Sequence, residues 1–441
     1  MRGNGDSWRK YRWHWKCAEK TVLTEKLIHY FRQIPDYRCG REKRHDLGEM
    51  LVCVTLGFLC GRSLKWCKTH LEELRKHMNL KYGIASPSTI TRMLNGIDEE
   101  LALYAFMEWI GEIVESRNTH LAIDGKALCG ATEKTKGETT PMLLNVVETV
   151  RGLILAQLPV DSKTNEITAI PELLKLLDIS GSIVTIDAVG TQTAIMEQIH
   201  EQGGHFVLTV KKNQPEAYEE IHTFMDKLGA EDLKRKKGEA MDPGMKEFLE
   251  KYEEISQMEK NRDRNEYRTC QICKDASNLT KSQKEWPHVQ SIGRIKQVRI
   301  PKEKDSQGND VTPSKEEFLE KGSRRIPAPS AGEGAGKDVQ CTALISDLIL
   351  TAEELGSIKR MHWSIENRLH HVLDDTFRED RSPAKKSRNN LSLIRKYAYN
   401  ILRLAMYETG LANIMTEMMD CFCDNAALRE RYVFQGIASL Y

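Results

Sequence analysis

Residues 119–130 read THLAIDGKALCG, and residues 182–192 read SIVTIDAVGTQ. In each stretch a short, β-rich apolar run leads into an aspartate and a small residue: Asp124 before Gly125, and Asp187 before Ala188. Buried strands of an open sheet have this composition, and such sheets place their functional groups at the carboxyl ends of strands. An isolated aspartate there is more often a turn former or a helix cap, so the pair needs a third acid to indicate a site.

A third segment supplies a candidate acid. Residues 361–380 read MHWSIENRLHHVLDDTFRED, with apolar positions recurring at helical spacing. Glu366, His370 and Asp374 follow one another every fourth residue, so they line one side of the predicted helix. Taken alone, the pattern is typical of a helix that leans on a core with its charges in water. Beside the two strand-end aspartates, Glu366 could complete a set of three carboxylates for a pair of divalent cations.

These strings resemble the DDE transposases of bacterial insertion sequences, in particular the ISAs-type, or H-repeat-associated, group. The matching strings are DGKALCGA, TIDAVGTQ, VLTVKKNQPE and MHWSIENRLHHVLDDTFRED, preceded by IPDYRCGREKRHDL and ASPSTITRML. HWSIEN with the trailing LDDTFRED is the most specific part. The resemblance implies that Asp124, Asp187 and Glu366 form the catalytic and metal-binding triad. It also implies an α/β, ribonuclease H-like fold, in which helices flank a mixed sheet.

The implied reaction explains the need for three carboxylates. A phosphodiester leaves a protein little covalent chemistry to do, so catalysis is positioning and charge neutralisation. Two Mg²⁺ (or Mn²⁺) ions about 3.5–4 Å apart can stabilise the attacking and the leaving oxygen together, and both metals prefer hard oxygen ligands. The resemblance therefore implies a metal-dependent enzyme that cleaves DNA at the ends of an element and transfers the ends to a target.

The chain departs from the family pattern at some supporting positions. Cys129 stands where many relatives carry Arg, and residues 262–268 lack the His of a common HGRxExR pattern. Lys359 and Leu373, seven residues before and after Glu366, do not match the Y-R-E-K signature of related transposases. None of these departures affects the three acids.

Further residues are expected to serve the triad or to bind DNA. His362, His370 and Asp374 are predicted to support the triad. The predicted DNA-binding residues are basic, amide or aromatic side chains near the motifs: Arg92, Lys126, Lys211, Lys212, Asn213, Trp363, Asn367, Arg388 and Arg395. Ordinary solvated surface explains them as well. The expected partners are double-stranded DNA with terminal inverted repeats, a target DNA and further copies of the chain, at least a dimer on DNA.

Composition fits a large enzyme without itself indicating DNA binding. The 441 residues, 40% apolar and 29% charged, predict two to three domains, yet the formal net charge is only +1. The charge is uneven: residues 1–45 hold twelve Lys and Arg against five Asp and Glu, and residues 378–403 hold eight against two. Such basic patches can bind phosphate in a neutral protein, although a solvated face is the simpler interpretation.

The chain is predicted to divide into six segments. They are a basic arm at 1–20, an all-helical domain at 21–112 that is a candidate DNA reader, the first part of the catalytic domain at 113–214, an insertion at 215–345 with a flexible segment at about 302–338, the last part of the catalytic domain at 346–410, and a C-terminal tail at 411–441. In the helical domain, Ser86-Pro87-Ser88 predicts a helix start with a hydroxyl cap and Pro in the first turn, leading into a helix at 89–97. Together with a predicted helix at 65–80 it resembles a helix-turn-helix, although ordinary helical pairs share that spacing. In the insertion, 218–228 and 244–258 are predicted to be helical, and 266–274 and 288–300 extended.

Eleven cysteines, an odd number, and no recognisable secretory leader favour reduced thiols in the bacterial cytoplasm, with the protein near the nucleoid. Cys270 with Cys273, or Cys421 with Cys423, could be half of a zinc site, but neither has a second pair nearby. The longest apolar stretch, residues 50–61, is shorter than the roughly 20 residues that span a bilayer. No membrane partner is expected.

Three functions compete at this point. The first is an active DDE transposase, and the second is a metal-dependent nuclease of the same fold that cuts without joining. The third is a catalytically degenerate, transposase-derived DNA-binding protein. The sequence favours the first, because all three acids of the implied triad are present.

Overall fold

The structure is a computed structural model that describes residues 24–38, 43–128, 140–160, 166–260, 264–279, 286–301, 303–304, 310–311, 339–438 and 440. The chain forms two compact units: a helical unit, from residues up to Glu115 together with Ala384–Tyr441, and an α/β unit, Ser116–Pro383. The predicted arm at 1–20, Cys129, and nearly all of the predicted flexible segment at 302–338 lie outside the described residues.

The helical unit opens with six helices. They are α1 (Leu27–Gln33), α2 (Leu47–Leu59), α3 (Leu64–Thr69), α4 (Leu71–Leu74), α5 (Pro87–Asn95) and α6 (Glu99–Ile113). Helix α5 starts as predicted: Ser86 Oγ accepts a hydrogen bond from the Thr89 backbone N–H at 3.3 Å, and Pro87 occupies the first turn. Thr91 and Arg92 are exposed on α5, so groove contact there stays a prediction.

The single helix predicted over residues 65–80 is wrong. The chain leaves helical geometry at His70, between α3 and α4, and the His70 ring stacks on Trp66 with the ring centroids 4.1 Å apart. Because α4 already ends at Leu74, the helices directly before α5 are two short ones, and the first helix of the predicted helix-turn-helix does not form.

The α/β unit is built on a nine-stranded mixed sheet. The first part of the α/β unit consists of β1 (His120–Ala127), β2 (Met142–Glu148), β3 (Leu153–Val160), α7 (Glu166–Lys175), β4 (Ile183–Ile186), α8 (Thr193–Glu201) and β5 (His205–Val210). Strands β1, β2 and β3 pair antiparallel, whereas β1, β4 and β5 are parallel. A strand and a hairpin, then helix, strand, helix and strand, is the order that a ribonuclease H-like fold requires. The predicted fold class is confirmed.

The segment predicted as an insertion extends the same sheet. It contains α9 (Pro215–Lys237), the single 3₁₀ turn α10 (Pro243–Met245), α11 (Lys246–Glu250), β6 (Tyr252–Lys260), β7 (Arg264–Cys273), β8 (Ser291–Pro301), β9 (Glu303–Lys304), β10 (Asp310–Val311) and β11 (Val339–Ser346). The strand order is β3-β2-β1-β4-β5-β11-β8-β7-β6, while β9 and β10 pair with each other. The helix predicted over 244–258 is wrong beyond Glu250. Residues 252–260 pair along their whole length with β7, and this pairing overrides their helical composition.

Helix α12 (Ala352–Ile365) packs across this extended sheet. Leu355 and Ile358 join a buried cluster with residues of β5, β7, β8 and β11. The approach is closest at Gly293 on β8, where an added Cβ would collide with the Leu355 side chain and stand 3.1 Å from the Gln271 backbone oxygen. The sheet extension is therefore the platform that supports α12.

The chain returns to the helical unit with α13 (Arg388–Thr409), α14 (Met415–Asp424) and α15 (Ala426–Arg429). Residues 392–402 of α13 are all buried, because the helix packs against α2, α5, α6 and α14. This placement differs from the predicted catalytic segment 346–410, which the structure divides at Ala384. The predicted tail at 411–441 is also part of the fold: backbone N–H of Ile437 donates to Thr24 Oγ1, and Ile437 O accepts from Thr24 N–H, both at 2.9 Å.

The predicted zinc half-site does not form on β7. Cys270 and Cys273 are three residues apart on a strand, so their thiols face opposite sides of the sheet. Burial raises the pKa of Cys270 to about 12 and of Cys273 to about 11. All cysteines of the described ranges are free thiols. Across those same ranges, no helix is both long and apolar enough to cross a membrane.

Replacing Gly293 with Val should lift α12 from β8 and destabilise the α/β unit by about 1–3 kcal/mol, the usual range for overpacking. Thermal unfolding measures this as a lower midpoint. Gly111→Ala is the control: a Cβ there meets open space on a helix and should stabilise by about 0.5–1 kcal/mol. An unchanged midpoint for Gly293→Val would contradict the close packing.

Candidate active site

The parallel pairing of β1 and β4 brings Asp124 and Asp187 side by side. Ile123 pairs with Ile186 at the last position of the ladder, and each aspartate is the next residue. Neighbouring strands lie about 4.8 Å apart. Strand β4 ends at this point, whereas β1 continues to Ala127 beside β2. Asp124 therefore lies within its strand, and not at the strand end that was predicted.

Helix α12 carries Glu366 to the same edge of the sheet. After Ile365 the chain continues as two π-helical turns, Glu366–His370 and Val372–Thr376. Such turns are rare and occur frequently at functional sites. Glu366 is exposed, while the opposite side of this segment is buried through Leu369 and Leu373.

The acids at this edge repel one another. The pKa of Asp124 is raised to about 6, first by burial and then by the negative charges of Asp187, Glu166 and Glu366. A hydrogen bond from the Gly125 backbone N–H to Asp124 Oδ1, at 3.0 Å, opposes the rise. A partly dry site therefore holds several carboxylates near one another.

Glu166 is a fourth carboxylate that was not predicted. It is the first residue of α7, and a Cβ on Gly125 would stand 3.3 Å from its Oε1. Burial and the charge of Asp187 raise its pKa. From the sequence alone, Glu166 is an acid in the first turn of a helix. A carboxylate in that position normally complements the helix dipole and does not indicate a site.

Asp187 has a cationic partner. Its carboxylate Oδ2 lies 2.6 Å from the Nζ of Lys211, and both side chains are about half exposed. Burial alone would raise the pKa of Asp187, but the hydrogen bond and charge of Lys211 hold it below the usual range. The predicted contact of Lys211 with DNA therefore competes with a contact inside the site.

Two buried side chains of α12 fasten the helix to the sheet. Lys359 is 3% exposed, and its Nζ donates to Thr209 Oγ1 on β5 at 2.8 Å. Burial lowers the pKa of Lys359 to about 8, although Asp187 and Asp124 act to raise it. His362 Nδ1 lies 3.0 Å from Thr185 Oγ1 on β4. Lys359 was noted only as a departure from a family signature.

The His362 contact belongs to a longer buried chain of hydrogen-bonding groups. Thr185 Oγ1 is also 3.1 Å from His120 Nε2, and His120 Nδ1 is 2.6 Å from Thr149 Oγ1. Burial lowers the pKa of His120 to about 3 and that of His362 well below its usual value. Both rings are therefore neutral near pH 7. They connect α12, β4 and β1 without adding charge beneath the acids.

His370 and Asp374 contact β1. His370 Nδ1 lies 3.6 Å from Asp124 Oδ2. Lys126, two residues after Asp124, is 4% exposed, and its ammonium contacts Asp374, Glu379 at 3.3 Å and Asp380 at 3.6 Å. This burial differs from the predicted DNA contact of Lys126, because three carboxylates already surround the ammonium.

The remaining predicted DNA contacts fall into two groups. Arg395 is 5% exposed, with its guanidinium 5.1 Å from the Phe58 ring centroid, so it is an interior residue of the helical unit. The others are exposed or half-buried: Arg92, Lys211, Lys212, Asn213, Trp363, Asn367 and Arg388. The Trp363 ring faces the Lys359 ammonium at 5.5 Å and the Arg268 guanidinium at 6.0 Å.

Comparison with known protein families identifies the family of this chain. Residues 115–401 match the family model described as the transposase DDE domain, and residues 28–110 match the DDE_Tnp_1-associated model. The chain belongs to this family of DDE transposases.

Individual relatives of this DDE transposase include two proteins of Escherichia coli (strain K12) named "H repeat-associated putative transposase". YhhI is 28% identical over 388 residues, which cover 86% of this chain and 90% of YhhI. YbfD is 32% identical over 196 residues, which cover 43% of this chain and 78% of YbfD. Among solved structures, a piggyBac transposase synaptic complex with hairpin DNA aligns over 92% of this chain and 78% of its own, with a TM-score of 0.38 and 11% identity.

The donor atoms at the acidic edge of the transposase fit a hard divalent cation in kind. Asp124, Asp187, Glu366 and Glu166 present only carboxylate oxygens, which Mg²⁺ and Mn²⁺ prefer. A cation would relieve the repulsion that raises the pKa of Asp124. Within the described ranges, no three His, Cys, Asp or Glu side chains are close enough to hold one ion jointly.

The raised pKa of Asp124 predicts a pH-dependent effect of neutralising it. Because about 6 lies above the ordinary value of about 3.9, the carboxyl contributes stability below about pH 4 and loses it as the pH rises through 6. Without divalent cations, Asp124→Asn should therefore stabilise the transposase at pH 7–8, by on the order of 1–2 kcal/mol for a partly exposed group. The gain should disappear near pH 4. Thermal unfolding across this pH range tests it, and a pH-independent gain would contradict the cause.

Lys126→Met should destabilise the α/β unit by about 3 kcal/mol, because the change leaves buried carboxylates without their cation. Thermal or chemical unfolding measures the loss. Lys175→Met removes a comparable lysine from an exposed pair with Glu172 and should change stability by less than about 0.5 kcal/mol. Equal effects of the two variants would show that burial of Lys126 is not what matters.

Proposed function

We propose that this protein is an insertion-sequence transposase that cleaves DNA at the ends of its element and joins those ends to target DNA. Asp124, Asp187 and Glu366 are its proposed catalytic residues and metal ligands. The observation that carries the proposal is the register of β1 and β4, which sets two aspartates beside each other under the helix that bears Glu366. Family membership supports the transposase function.

Asp124, Asp187 and Glu366 would hold two Mg²⁺ (or Mn²⁺) ions. When bound, these ions supply activation of the attacking oxygen and stabilisation of the leaving 3'-oxygen. Asp124 is the most rigid of the three ligands, since it lies within β1, where its backbone pairs with Asn145 of β2. Glu366 is exposed on a π-helical turn and can adjust.

The surrounding residues hold the proposed ligands in place. The Lys359–Thr209 and His362–Thr185 contacts fix α12 over the sheet, and so limit where Glu366 can stand. The contacts of Lys126 with Asp374 and Glu379 tie the segment after the π-helical turns to β1. A site built in this way positions the reacting oxygens with little reorganisation, which is the main contribution of a protein to phosphoryl transfer.

The proposed nucleic-acid partners are double-stranded DNA with terminal inverted repeats and a target DNA. Lys212 and Asn367 are exposed beside the acidic edge, and Arg92 is exposed on α5 of the helical unit. Lysine and arginine would bind backbone phosphates, while Asn367 and the half-buried Trp363 could contact sugar or base. We propose that a homodimer or higher multimer assembles on the paired ends. The expected location is the bacterial cytoplasm, at the nucleoid.

The decisive experiment is cleavage of a labelled duplex that carries the terminal repeats of the element, with and without Mg²⁺. The natural chain should nick the repeat boundary only with Mg²⁺. Asp187→Asn should lower the rate by at least about a hundredfold, since it removes a carboxylate that would hold the ions that stabilise the transition state. Glu366→Gln should keep DNA binding and lose cleavage. Asp375→Asn, an exposed acid of the same segment, is the matched control and should retain activity.

The other outcomes separate the competing functions. Cleavage without strand transfer would indicate a metal-dependent nuclease. Repeat-specific binding with no cleavage by the natural chain would indicate a degenerate, DNA-binding relative. Undiminished cleavage by Asp187→Asn would place the active site elsewhere.

A further inference from the structure

Three residues that follow β5, Lys211, Asn213 and Gln214, contact the loop that carries Asp187. Lys211 Nζ contacts Asp187 Oδ2 at 2.6 Å. Asn213 Nδ2 donates to the backbone oxygen of Ala188 at 3.0 Å, and Gln214 Nε2 donates to the backbone oxygen of Thr191. Three side chains of a four-residue stretch therefore contact residues 187–191, although the resemblance had suggested DNA contacts for this stretch.

The sheet explains why the two loops meet. Strands β4 and β5 are parallel, with Ile186 opposite Leu208, so the loops that follow them leave the same edge. Thr191 Oγ1 also donates to the backbone oxygen of Thr209 at 2.7 Å, which holds the far end of the Asp187 loop against β5. Asn213 and Gln214 contact backbone oxygens, so Lys211 alone of the three contacts the carboxylate itself.

The two lysines that act on Asp187 differ in their freedom to move. Lys359 is 3% exposed and is hydrogen-bonded to Thr209 beneath the site. The Lys211 side chain is 53% exposed, and its partner Asp187 is 43% exposed. An exposed ion pair is worth only about 0–1 kcal/mol, so Lys211 can leave Asp187 at little cost. Its stem lies at the acidic edge, where a DNA backbone would have to pass for the reaction.

We infer that Lys211 is a positioning residue that exchanges partners: it pairs with Asp187 until a divalent cation takes that carboxylate, and the released ammonium then binds a DNA phosphate. This inference rests on the proposed function, in which Asp187 is a metal ligand. The ammonium contacts Oδ2 of Asp187, so it would compete with a cation for that carboxylate. Because binding free energies are reciprocal, metal that frees Lys211 strengthens phosphate binding, and bound phosphate strengthens metal binding.

The first test is Mn²⁺ binding to the full chain without DNA, measured by electron paramagnetic resonance or calorimetry. Lys211→Met removes the competing charge and should tighten Mn²⁺ binding roughly two- to fivefold, the range of an exposed ion pair. Lys212→Met is the matched control, with the same charge change one residue along the chain, and should change the affinity by less than about half as much. If Lys211 only holds the Asp187 loop in place, Lys211→Met should instead weaken Mn²⁺ binding, because the loosened loop would hold the ion less well.

The second test is the coupling between metal and DNA. A short duplex is titrated into the protein with and without Ca²⁺, which supplies a divalent charge for the site. Lys212→Met should bind the duplex more weakly than the natural chain in both conditions, because Lys212 is a proposed phosphate contact. Ca²⁺ should nevertheless strengthen duplex binding by the same factor for the natural chain and Lys212→Met, and by a smaller factor for Lys211→Met. Lys211→Gln, a second neutral variant, should behave as Lys211→Met does, and thermal unfolding verifies that both are folded.

Asp187→Asn separates failure of this inference from failure of the proposed function. If Asp187→Asn loses Mn²⁺ binding while both Lys211 variants bind Mn²⁺ no more tightly than the natural chain, the exchange is overturned and the metal site stands. If Asp187→Asn binds Mn²⁺ as the natural chain does, Asp187 is not a ligand and both proposals fail.

Discussion

The constraint on which this structure depends is the mutual repulsion of carboxylates held at one partly dry edge of a sheet. The parallel register of β1 and β4 places Asp124 and Asp187 in neighbouring strands, one residue beyond their last pair. Glu166 and Glu366 add further negative charge, and the pKa of Asp124 rises to about 6 as a result of burial and of these charges. The fold must offset this negative charge with positively charged or hydrogen-bonding side chains nearby.

Compensation comes from two lysines placed in opposite ways. Lys359 is buried and its amine is hydrogen-bonded to Thr209 beneath the aspartates, and burial lowers its pKa to about 8. Lys211 is exposed and pairs directly with Asp187, so it can exchange for another cation. Between α12 and the sheet, His362 and His120 are neutral and supply hydrogen bonds without charge. The acidic edge thus combines its carboxylates with one buried amine, one exposed ammonium and two neutral imidazoles.

The position of Glu366 depends on parts of the chain that lie far from it in sequence. Helix α12 rests on the added strands β11, β8 and β7, most closely where Leu355 meets Gly293. The segment between β5 and α12 therefore continues the same sheet, and its strands determine how closely α12 packs against that sheet. Lys126 provides a second restraint, because its buried contacts tie the end of the π-helical segment to β1.

By itself the sequence determined the elements whose signal is local. The apolar runs before Asp124 and Asp187, the Ser86 cap of α5 and the helical spacing around Glu366 each lie within a few neighbouring residues, and each predicted its element. Only the tertiary structure decided the rest. Residues 252–260 became β6 because β7 pairs with them. Lys126 and Arg395 became interior residues because distant segments cover them. Glu166 and Lys359 joined the acidic edge through α7 and α12. Burial and strand pairing depend on segments that are distant in the chain. The spacing of apolar residues within one segment does not identify those distant partners.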